Sequence, residues 1–516
     1  MAVYWSKHLP AEIISMIPVR GYTARNNFSK ESIEWLKYME YTLGVEICYA
    51  LNGRGEKNIH GIHVDGYCEE TKTVFEFYRC FFHGCEVCFN RDDINQVSKI
   101  PMWALLKKTK ERAAKIRSSG FNLKEMWEHD FLRMKRNDVS LKEFCSQLEI
   151  VELMNPRGAF YGGRTNATKL FYEGEAKYID FTSLYPYVNK YCSYPAGHPE
   201  IIISNFVDIS EYFGIAKCSI LPPRGLYHPL LPFRSLGNFT FPLCSSCVET
   251  RCSTCEHEDS DRVLRGTWVI VEVEKAVEVG YKIEKIYEVH HFKERTTSLF
   301  KAYINTFLKT KQEASGWPEK CQTTEEKSDY VRNYEEHEGI SLNTDNIEKH
   351  PGKRQESKLY LNSFWGRWTM KENKMQTSFV SSLPEFNCLL THNERDQTNV
   401  YLAAFTTAHS RLKLYREIEK LGEAVLYYDS DSIIYSSNGI NDPEIGDFLR
   451  DFTDELEGDT IVKFVSDERI IVTNPRKITK DVKAGKIINK VEEKNYRKVH
   501  DKRVILDGLN TLPYGY

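Results

Sequence analysis

The 516-residue sequence lacks the features that assign a chain quickly to a membrane or to the secretory pathway. No apolar run approaches the roughly 20 residues needed to span a bilayer. Residues 1–20 contain no long apolar core of a secretory signal. We therefore predict an intracellular protein, not secreted and with no membrane partner, and leave nucleus, cytoplasm and mitochondrion open. The sequence also contains no internal repeat and no long low-complexity segment.

The sequence also lacks a net positive charge, which argues against a protein whose whole surface attracts nucleic acid. Its basic residues are nevertheless concentrated. Residues 99–124 hold eight basic residues and one acid in a pattern that predicts a helix, and residues 476–503 hold eleven basic residues and four acids. Residues 319–350 are polar and acidic, and we predict a solvated connection there. Nucleic acid therefore remains a candidate partner of the basic segments.

Carboxylates stand at the ends of strand-like segments in the second part of the chain. Asp180 follows an apolar run in YIDFTSLYPYV, residues 178–188. Asp429 and Asp431 lie between the apolar arms of VLYYDSDSIIY, residues 425–435, which predicts a hairpin with carboxylates at its tip. Three converging carboxylates would repel one another unless divalent cations lie between them. Mg²⁺ prefers such oxygen ligands, and two ions can stabilise both reacting oxygens of a phosphoryl transfer.

A helix is predicted over residues 357–368 (SKLYLNSFWGRW), with Lys358 and Asn362 on one face. Lys358 can neutralise a triphosphate, Trp365 can form a flat wall for a sugar and base, and Gly366 permits close backbone approach. Taken singly, a D-x-D pattern is usually a surface loop, and K-x-x-x-N is usually a solvated helix face. The occurrence of all three segments in this order favours a functional site.

These segments resemble the motifs of family B DNA polymerases. Residues 180–186 (DFTSLYP) resemble motif A, D-x-x-S-L-Y-P, and residues 358–366 (KLYLNSFWG) resemble motif B, K-x-x-x-N-S-x-Y-G. Residues 428–432 (YDSDS) resemble motif C, Y-x-D-T-D-S, with Ser430 in the place of Thr. The similarity is closest to the protein-primed branch of linear plasmids, viruses and large DNA transposons.

That branch carries a Y-x-G-G motif before motif A, and residues 160–164 (FYGGR) stand at this position with Phe in the place of Tyr. The resemblance implies that Phe160, Tyr161, Gly162 and Gly163 touch the template, and that Arg164 meets a template phosphate.

The resemblance implies an α+β, right-hand DNA polymerase with an antiparallel-sheet palm, helical fingers and a short thumb. Such an enzyme adds deoxynucleotides to the 3′-hydroxyl of a primer–template and uses Mg²⁺ or Mn²⁺. Asp180 and Asp431 would be the principal metal ligands, with Asp429 as the third carboxylate. Tyr185 would exclude ribose. The incoming nucleotide would be bound by Ser183, Leu184, Tyr185, Lys358, Asn362, Trp365 and Gly366.

The polymerase portion is expected over residues 151–470, after a glycine-rich boundary. Its insertions, 189–350 and 369–420, would serve a terminal (priming) protein and strand displacement. Residues 471–516 are expected to form a short basic, thumb-like segment. Family members grip the primer terminus with a K-x-Y motif after motif C; Lys494-Asn495-Tyr496 matches it by letter but lies late in the chain, and its role is left open.

Fourteen cysteines without a secretory signal indicate reduced thiols, which more often hold metal than form disulfides when they cluster. Two C-x-x-C pairs stand close together at Cys244, Cys247, Cys252 and Cys255, with His257 as a candidate replacement for one cysteine. We predict a structural Zn²⁺ site there. Unliganded thiols and an iron–sulfur cluster remain alternatives.

The N-terminal third is expected to form a separate α/β domain over residues 1–150. Ser29 is a plausible N-cap for a helix over 28–43, and residues 62–89 predict two strands, IHVDGYC and TVFEFYRCFF, that carry Asp65 and Glu76.

The segment FFHGCEVCF, the basic helix and MWEHDF resemble the Vsr mismatch-repair endonucleases, a branch of the restriction-endonuclease-like fold. The resemblance implies metal-binding carboxylates at Asp65 and Glu76. It also implies zinc ligands at Cys80, His83, Cys85 and Cys88. Tyr78 occupies the place of the Lys in the D…E-x-K pattern, so water activation would lack its usual electrostatic support, and scaffolding or DNA binding is at least as plausible as cleavage.

Three functions follow from these patterns. The first is a DNA-directed DNA polymerase for protein-primed replication of a mobile or viral DNA element. The second is a catalytically degenerate, nucleic-acid-binding remnant of such an element, in which the palm persists without activity. The third is a metal-dependent nuclease that acts through the N-terminal domain.

Overall fold

The computed structural model describes residues 28–51, 56–59, 61–95, 97–148, 154–235, 237–369, 382, 399–440, 442–466, 471–478, 490–497 and 502–516. The chain divides into two compact units. The first unit holds the described residues between 28 and 148 together with 203–205, and the second holds those in 154–202 and 206–516. Among the described residues, no helix is both long and apolar enough to cross a membrane.

The first unit mixes short strands with helices. Its helices are α1 Lys30–Leu43, α2 Cys80–His83, α3 Met102–Ser118, α4 Glu128–Asn137 and α5 Val139–Gln147. Its strands are β1 Cys48–Tyr49, β2 Lys57–Ile59, β3 Ile62–Val64, β4 Gly66–Cys68, β5 Thr73–Tyr78 and β6 Asn122–Trp127. Four of them form one sheet in the order β1-β4-β5-β6, in which β5 and β6 run parallel.

The sequence patterns predicted two of these helices and two strands in the first unit. Helix α1 is capped by Ser29, whose side chain accepts a hydrogen bond from the Ser32 N–H at 3.0 Å, and the basic helix is present as α3. The second predicted strand was wrong beyond Tyr78, because the chain turns there into the short helix α2. The Cys80 N–H that a longer strand would pair donates instead to the Glu128 carboxylate at 2.9 Å.

The second unit contains two larger sheets and the longest helix described. Its helices are α6 Leu184–Tyr191, α7 Ser245–Thr250, α8 Asp259–Arg262, α9 Ile270–Glu278, α10 Lys301–Glu313, α11 Thr324–Glu338, α12 Pro351–Ser363 and α13 Val400–Leu421. Its strands are β7 Thr165–Ala167, β8 Phe171–Phe181, β9 Tyr194–Ala196, β10 Glu200–Ile202, β11 Gly214–Leu221, β12 Phe233–Ser235, β13 Asn238–Thr240, β14 Leu264–Val269, β15 Lys282–His291, β16 Glu294–Thr296, β17 Val425–Asp429, β18 Ser432–Ser436, β19 Phe452–Asp454, β20 Ile461–Val465, β21 Ile471–Ile478, β22 Lys490–Arg497, β23 Val504–Ile505 and β24 Thr511–Leu512.

One antiparallel sheet carries the predicted carboxylates, and we call it the carboxylate sheet. Its order is β19-β8-β18-β17-β7, and β20 also pairs with β8. Ile179 and Phe181 of β8 are buried against Leu184 of α6 and Leu414 of α13, so these helices cover one face of the sheet. Side chains alternate along a strand, and Asp180 therefore lies on the opposite face.

The other large sheet of this unit has four strands and lies within the predicted insertion 189–350. Its order is β10-β15-β11-β14, and all its pairs are antiparallel. In the second predicted insertion, α13 is described from Val400, whereas 370–381 and 383–398 lie outside the described residues. Lys494, Asn495 and Tyr496 lie on β22, which pairs with β21.

The acidic stretch 319–350 is largely exposed, as predicted for a solvated connection, but it is not irregular throughout. It contains helix α11, which begins with a capping box between Thr323 and Glu326. The last residue of this helix, Glu338, is buried and forms a 2.8 Å ion pair with the equally buried Lys190 of α6. Its other carboxylate oxygen accepts the Leu449 N–H at 2.9 Å. A charged residue thus anchors the helix to the protein interior.

We predict that Glu338→Ala destabilises the protein by about 3 kcal/mol, because it leaves the Lys190 ammonium buried without its carboxylate. Chemical denaturation monitored by circular dichroism measures the change. Glu336→Ala, which removes an exposed carboxylate from the same helix, is the matched control and should change stability by less than about 0.5 kcal/mol. Equal effects of the two variants would contradict the proposed anchor.

Candidate active site

Strand pairing brings the three predicted carboxylates together at one end of the carboxylate sheet. Asp180, near the end of β8, is paired with Ser432, the first residue of β18. Asp429 ends β17, so the D-x-D segment forms the predicted turn between β17 and β18. The Phe181 N–H donates to the Asp431 carbonyl at 2.7 Å, which ties the turn to β8. Residues far apart in the chain thus become neighbours through backbone hydrogen bonds.

The electrostatics of this cluster favour a bound cation. Burial and the Asp431 carboxylate raise the pKa of Asp180 to about 7, and burial together with Asp429 raises the pKa of Asp431. One buried oxygen of Asp180, Oδ1, has no hydrogen-bond partner among the described residues. An unpartnered carboxylate oxygen beside further carboxylates matches the donor set that Mg²⁺ or Mn²⁺ prefers. The residues present therefore fit a divalent cation.

The D-x-D turn is held from the strand on its other side. The Thr165 hydroxyl of β7 donates to Asp429 Oδ1 at 2.6 Å, and Lys502 donates to the Thr165 carbonyl at 3.2 Å. Gly163 lies directly against the turn, since a Cβ added there would come within 2.2 Å of the Ser430 hydroxyl. A side chain at position 163 would therefore push the D-x-D turn away.

The predicted nucleotide-binding residues of motif A surround the start of α6. Ser183 is in the left-handed region, with φ 63°, and immediately precedes the helix. Tyr185 stacks on Trp365, with ring centroids 4.6 Å apart and an interplanar angle of 15°. The side chain of Leu184 is buried in the core, so a contact of this residue with a nucleotide would have to come from its backbone.

The predicted residues of motif B lie on and just beyond α12. Lys358 and Asn362 are exposed, and the charge of Lys358 acts on the pKa of Asp180. Trp365 and Gly366 follow in a 3₁₀ turn, and the position of a Cβ on Gly366 meets open space. The motif B residues are therefore accessible, and Lys358 lies within electrostatic range of the carboxylates.

Sequence reasoning missed Lys311, which lies on α10. Its ammonium donates to the Ser183 hydroxyl at 3.3 Å. Burial lowers the pKa of Lys311 to about 8, and the nearby charges of Arg354 and Lys358 act in the same direction. Three cations thus lie near the start of α6. No sequence pattern distinguishes Lys311 from the other lysines of this helix, so only the fold could show that it lies beside Ser183.

The loop 160–164 is held by a buried ion pair that the sequence did not indicate. Arg411 of α13 forms two hydrogen bonds with Glu272 of α9, at 2.8 and 2.7 Å, and both side chains are almost fully buried. The second terminal nitrogen of Arg411 donates to the carbonyls of Tyr161 and Gly162, at 2.9 and 2.8 Å. The backbone of the loop is therefore fixed from inside the protein.

The role predicted for Arg164 is corrected by its burial. Its side chain is 1% exposed, and its guanidinium lies over the rings of Phe241, Tyr415 and Tyr428 at 4.2, 5.3 and 5.2 Å. It cannot reach a template phosphate from this position. The ring of Tyr161 is buried as well, whereas Gly162 is exposed.

An exposed arginine that the sequence did not single out, Arg234 of β12, lies beside the same loop. It donates to the carbonyls of Gly158, at 2.9 Å, and Phe160, and its guanidinium lies 4.1 Å from the centroid of the Tyr161 ring. Arg234 is therefore a cation of this region that remains accessible to a phosphate.

The cysteine-rich segment 244–257 assembles four potential metal ligands. They are Cys244, Cys247, Cys255 and His257, whose ligand atoms lie within 4.8 Å of one another. Cys252 is not among them, and its thiol instead lies 3.0 Å from the Thr250 hydroxyl. The predicted replacement of one cysteine by His257 is therefore the arrangement that the structure adopts. We call residues 243–257 the Cys244 knuckle.

A second group of potential metal ligands lies in the first unit and corrects one predicted residue. It consists of Cys80, Cys85, Cys88 and His129, again within 4.8 Å of one another. His83 is not part of this group, and its Nδ1 atom lies 3.1 Å from the Thr109 hydroxyl instead. His129, at the start of α4, replaces it.

The predicted nuclease carboxylates lie close together, but an arginine engages one of them. Asp65 accepts the Phe77 N–H at 2.7 Å, and burial together with Glu76 raises the pKa of Asp65 to about 7. Arg112 of α3 binds both oxygens of Glu76 at 2.9 Å. Arg112 thus occupies both Glu76 oxygens, which a metal at this position would need.

One segment of the chain matches a known protein family. Residues 148–328 match the family described as DNA polymerase type B, organellar and viral. The matched segment includes the loop 160–164, Asp180 and the Cys244 knuckle, and it ends before motif B. The resemblance to family B DNA polymerases that the motifs predicted is therefore confirmed over this segment. No curated protein matches the sequence.

Solved structures of Phi29 DNA polymerase are similar to the chain. The orthorhombic crystal form is 18% identical in sequence, with a TM-score of 0.40. The match covers 66% of this chain and 54% of the Phi29 polymerase chain. The binary complex with primer–template DNA is 17% identical in sequence, with a TM-score of 0.41. This match covers 70% of this chain and 58% of the polymerase chain in the complex. The chain thus spans a little over half the length of these polymerases.

We predict that Asp180→Asn raises the melting temperature at pH 8 in the absence of divalent cations, by about 2–4 °C. Since the pKa of Asp180 rises from 3.8 to about 7 on folding, its contribution to stability is lost as the pH rises through about 7. The difference between variant and wild type should therefore vanish near pH 4.

Thermal unfolding between pH 4 and pH 8, with and without Mg²⁺, measures this difference. Mg²⁺ should raise the melting temperature of the wild type more than that of the variant. Asp459→Asn, which alters an exposed acid, serves as the control. A variant that is less stable than the wild type at pH 8 without cations would show that Asp180 is not under electrostatic strain.

Proposed function

We propose that this chain is a DNA-directed DNA polymerase that adds deoxynucleotides to a primer 3′-hydroxyl with two divalent cations. The observation that carries the proposal is the convergence of Asp180 with the D-x-D turn, which leaves a buried carboxylate oxygen unpartnered. The type B polymerase match over residues 148–328 supports it.

The carboxylates Asp180, Asp429 and Asp431 would hold Mg²⁺ or Mn²⁺. The cations would neutralise the triphosphate and stabilise the attacking and leaving oxygens. The contribution of the chain is to hold the carboxylates close together before the cations bind. Backbone pairing between β8 and β18 and the hydrogen bond from Thr165 to Asp429 provide that positioning.

The triphosphate would lie at the start of α6, where unpaired backbone N–H groups favour an anion. Lys311 and Lys358 would supply positive charge from α10 and α12. Burial lowers the pKa of Lys311, and the charges of Arg354 and Lys358 lower it further; a bound triphosphate would relieve the repulsion between these cations. The stacked rings of Tyr185 and Trp365 would form the wall against the sugar, where a 2′-hydroxyl would collide with the Tyr185 ring.

In this assignment the carboxylate sheet is the palm, α10 to α12 belong to the fingers, and residues 471–516 belong to a short thumb. The primer–template would meet the loop 160–164 through the exposed Gly162 and through Arg234. A terminal protein would prime synthesis. The ligands Cys80, Cys85, Cys88 and His129 would hold a structural Zn²⁺ in the first unit, which would act as a restriction-endonuclease-like scaffold.

Primer extension with Mg²⁺ and deoxynucleotides tests the proposal. We expect Asp429→Ala to reduce extension about 1000-fold or more, because it removes a carboxylate from the cation site. Asp459→Asn should retain wild-type extension. Absence of extension by the wild type, with salt-dependent DNA binding, would identify a degenerate remnant instead. Cleavage that disappears with Asp65→Ala would identify a nuclease.

The stacked pair of rings generates a second prediction for the same assay. Tyr185→Val removes the ring beneath the sugar, so we expect discrimination against ribonucleotides to fall by about 100-fold while extension with deoxynucleotides persists. Steady-state kcat/KM for the two nucleotide classes measures the ratio. Tyr191→Val, on the same helix but outside this wall, is the control. Unchanged discrimination in Tyr185→Val would contradict the placement of the sugar.

A further inference from the structure

Residues 502–516 connect the Cys244 knuckle to the edge of the carboxylate sheet, and we call them the bridging segment. At the knuckle, the Leu243 N–H donates to the Tyr514 carbonyl at 2.7 Å. One small cluster of buried side chains holds the contact together. Its members are Cys244, Cys247, Val248, Val504 and Tyr514.

Gly515 shows how closely the bridging segment approaches a potential ligand. Its φ is 86°, in the left-handed region that favours glycine. A Cβ on Gly515 would lie 2.4 Å from the Cys244 Cβ and 2.6 Å from its backbone nitrogen. The segment therefore packs on the backbone of a cysteine whose thiol belongs to the four-ligand group.

The other contacts of the bridging segment are with β7 and the residues that follow it. The Thr511 N–H donates to the Thr168 carbonyl at 3.0 Å, and the Leu170 N–H donates to the Leu509 carbonyl at 2.8 Å. Lys502 reaches the carbonyl of Thr165, whose hydroxyl holds Asp429. The bridging segment thus acts on the strand that supports the D-x-D turn.

The geometry of the four ligands fits Zn²⁺. The His257 Nδ1 atom lies 3.6, 3.3 and 3.9 Å from the sulfurs of Cys244, Cys247 and Cys255. Tetrahedral Zn²⁺ with bonds of about 2.3 Å to sulfur and about 2.0 Å to nitrogen places sulfur and nitrogen about 3.5 Å apart. The knuckle contains one short helix, α7, and segments of this size usually need a metal to hold their fold.

We propose that Zn²⁺ bound by Cys244, Cys247, Cys255 and His257 locks the bridging segment onto β7. Two of the cluster residues that hold Tyr514 are themselves ligands, so the metal orders the surface on which the segment packs. Loss of the metal releases the segment and withdraws Lys502 from Thr165. This inference concerns the folded chain and does not depend on polymerase activity.

The experiment compares zinc content with hydrogen exchange in the full chain. Cys247→Ser should lose one equivalent of zinc by elemental analysis, and the amides of Leu170 and Thr511 should exchange about tenfold faster or more. Cys252→Ser, which changes a cysteine outside the ligand set, should keep both zinc and protection. Cys85→Ser, which alters the ligand group of the first unit, should leave protection of the bridging segment unchanged.

A second variant separates the bridging segment from the metal. Gly515→Val collides with Cys244 and should speed exchange of the bridging segment while the zinc content stays at the wild-type value. If Cys247→Ser does not fold, chelator titration of the wild type, followed by readdition of Zn²⁺, gives the same comparison. Loss of zinc without faster exchange, or faster exchange in Cys252→Ser equal to that in Cys247→Ser, would overturn the proposal.

Discussion

The pairing of β8 with β18 is the constraint on which the rest of the second unit depends. It places the carboxylate of Asp180 in a partly buried position near Asp431, where burial and the Asp431 charge raise the pKa of Asp180. Hydrogen bonds within a sheet can hold like charges together because several of them act at once. Their combined stabilisation exceeds the repulsion between one pair of carboxylates. The helices on the far face supply the apolar burial that keeps this sheet in register.

Internal cations organise the second unit as much as internal acids do. Arg411 donates its hydrogen bonds to Glu272 and to the loop 160–164, and the guanidinium of Arg164 packs against aromatic rings. Both arginines are nearly inaccessible to solvent, so neither can serve as a phosphate contact. Accessible positive charge is instead provided by the exposed Arg234 and Lys358, and Lys311 of α10 lies near the start of α6.

The motifs predicted the elements that carry the three carboxylates, because these elements have local sequence patterns. The patterns are the apolar arms around the D-x-D and the strand that delivers Asp180. The same reasoning failed where a residue's surroundings come from distant parts of the chain. Arg164 follows a glycine pair, and this context predicted an exposed side chain. In the structure Phe241, Tyr415 and Tyr428 enclose it. His83 lies between cysteines in sequence, but His129 arrives from another helix to take its place.

Gly163 and Ser430 illustrate how two motifs that are distant in the chain share one volume. The missing side chain at Gly163 leaves the space in which the Ser430 hydroxyl sits. A change at either position therefore alters which residues the other can accept, and Thr at 430 would add a methyl group to an already filled space. Sequence libraries built on this scaffold should vary the two positions together, because variation of either one alone samples mostly incompatible pairs.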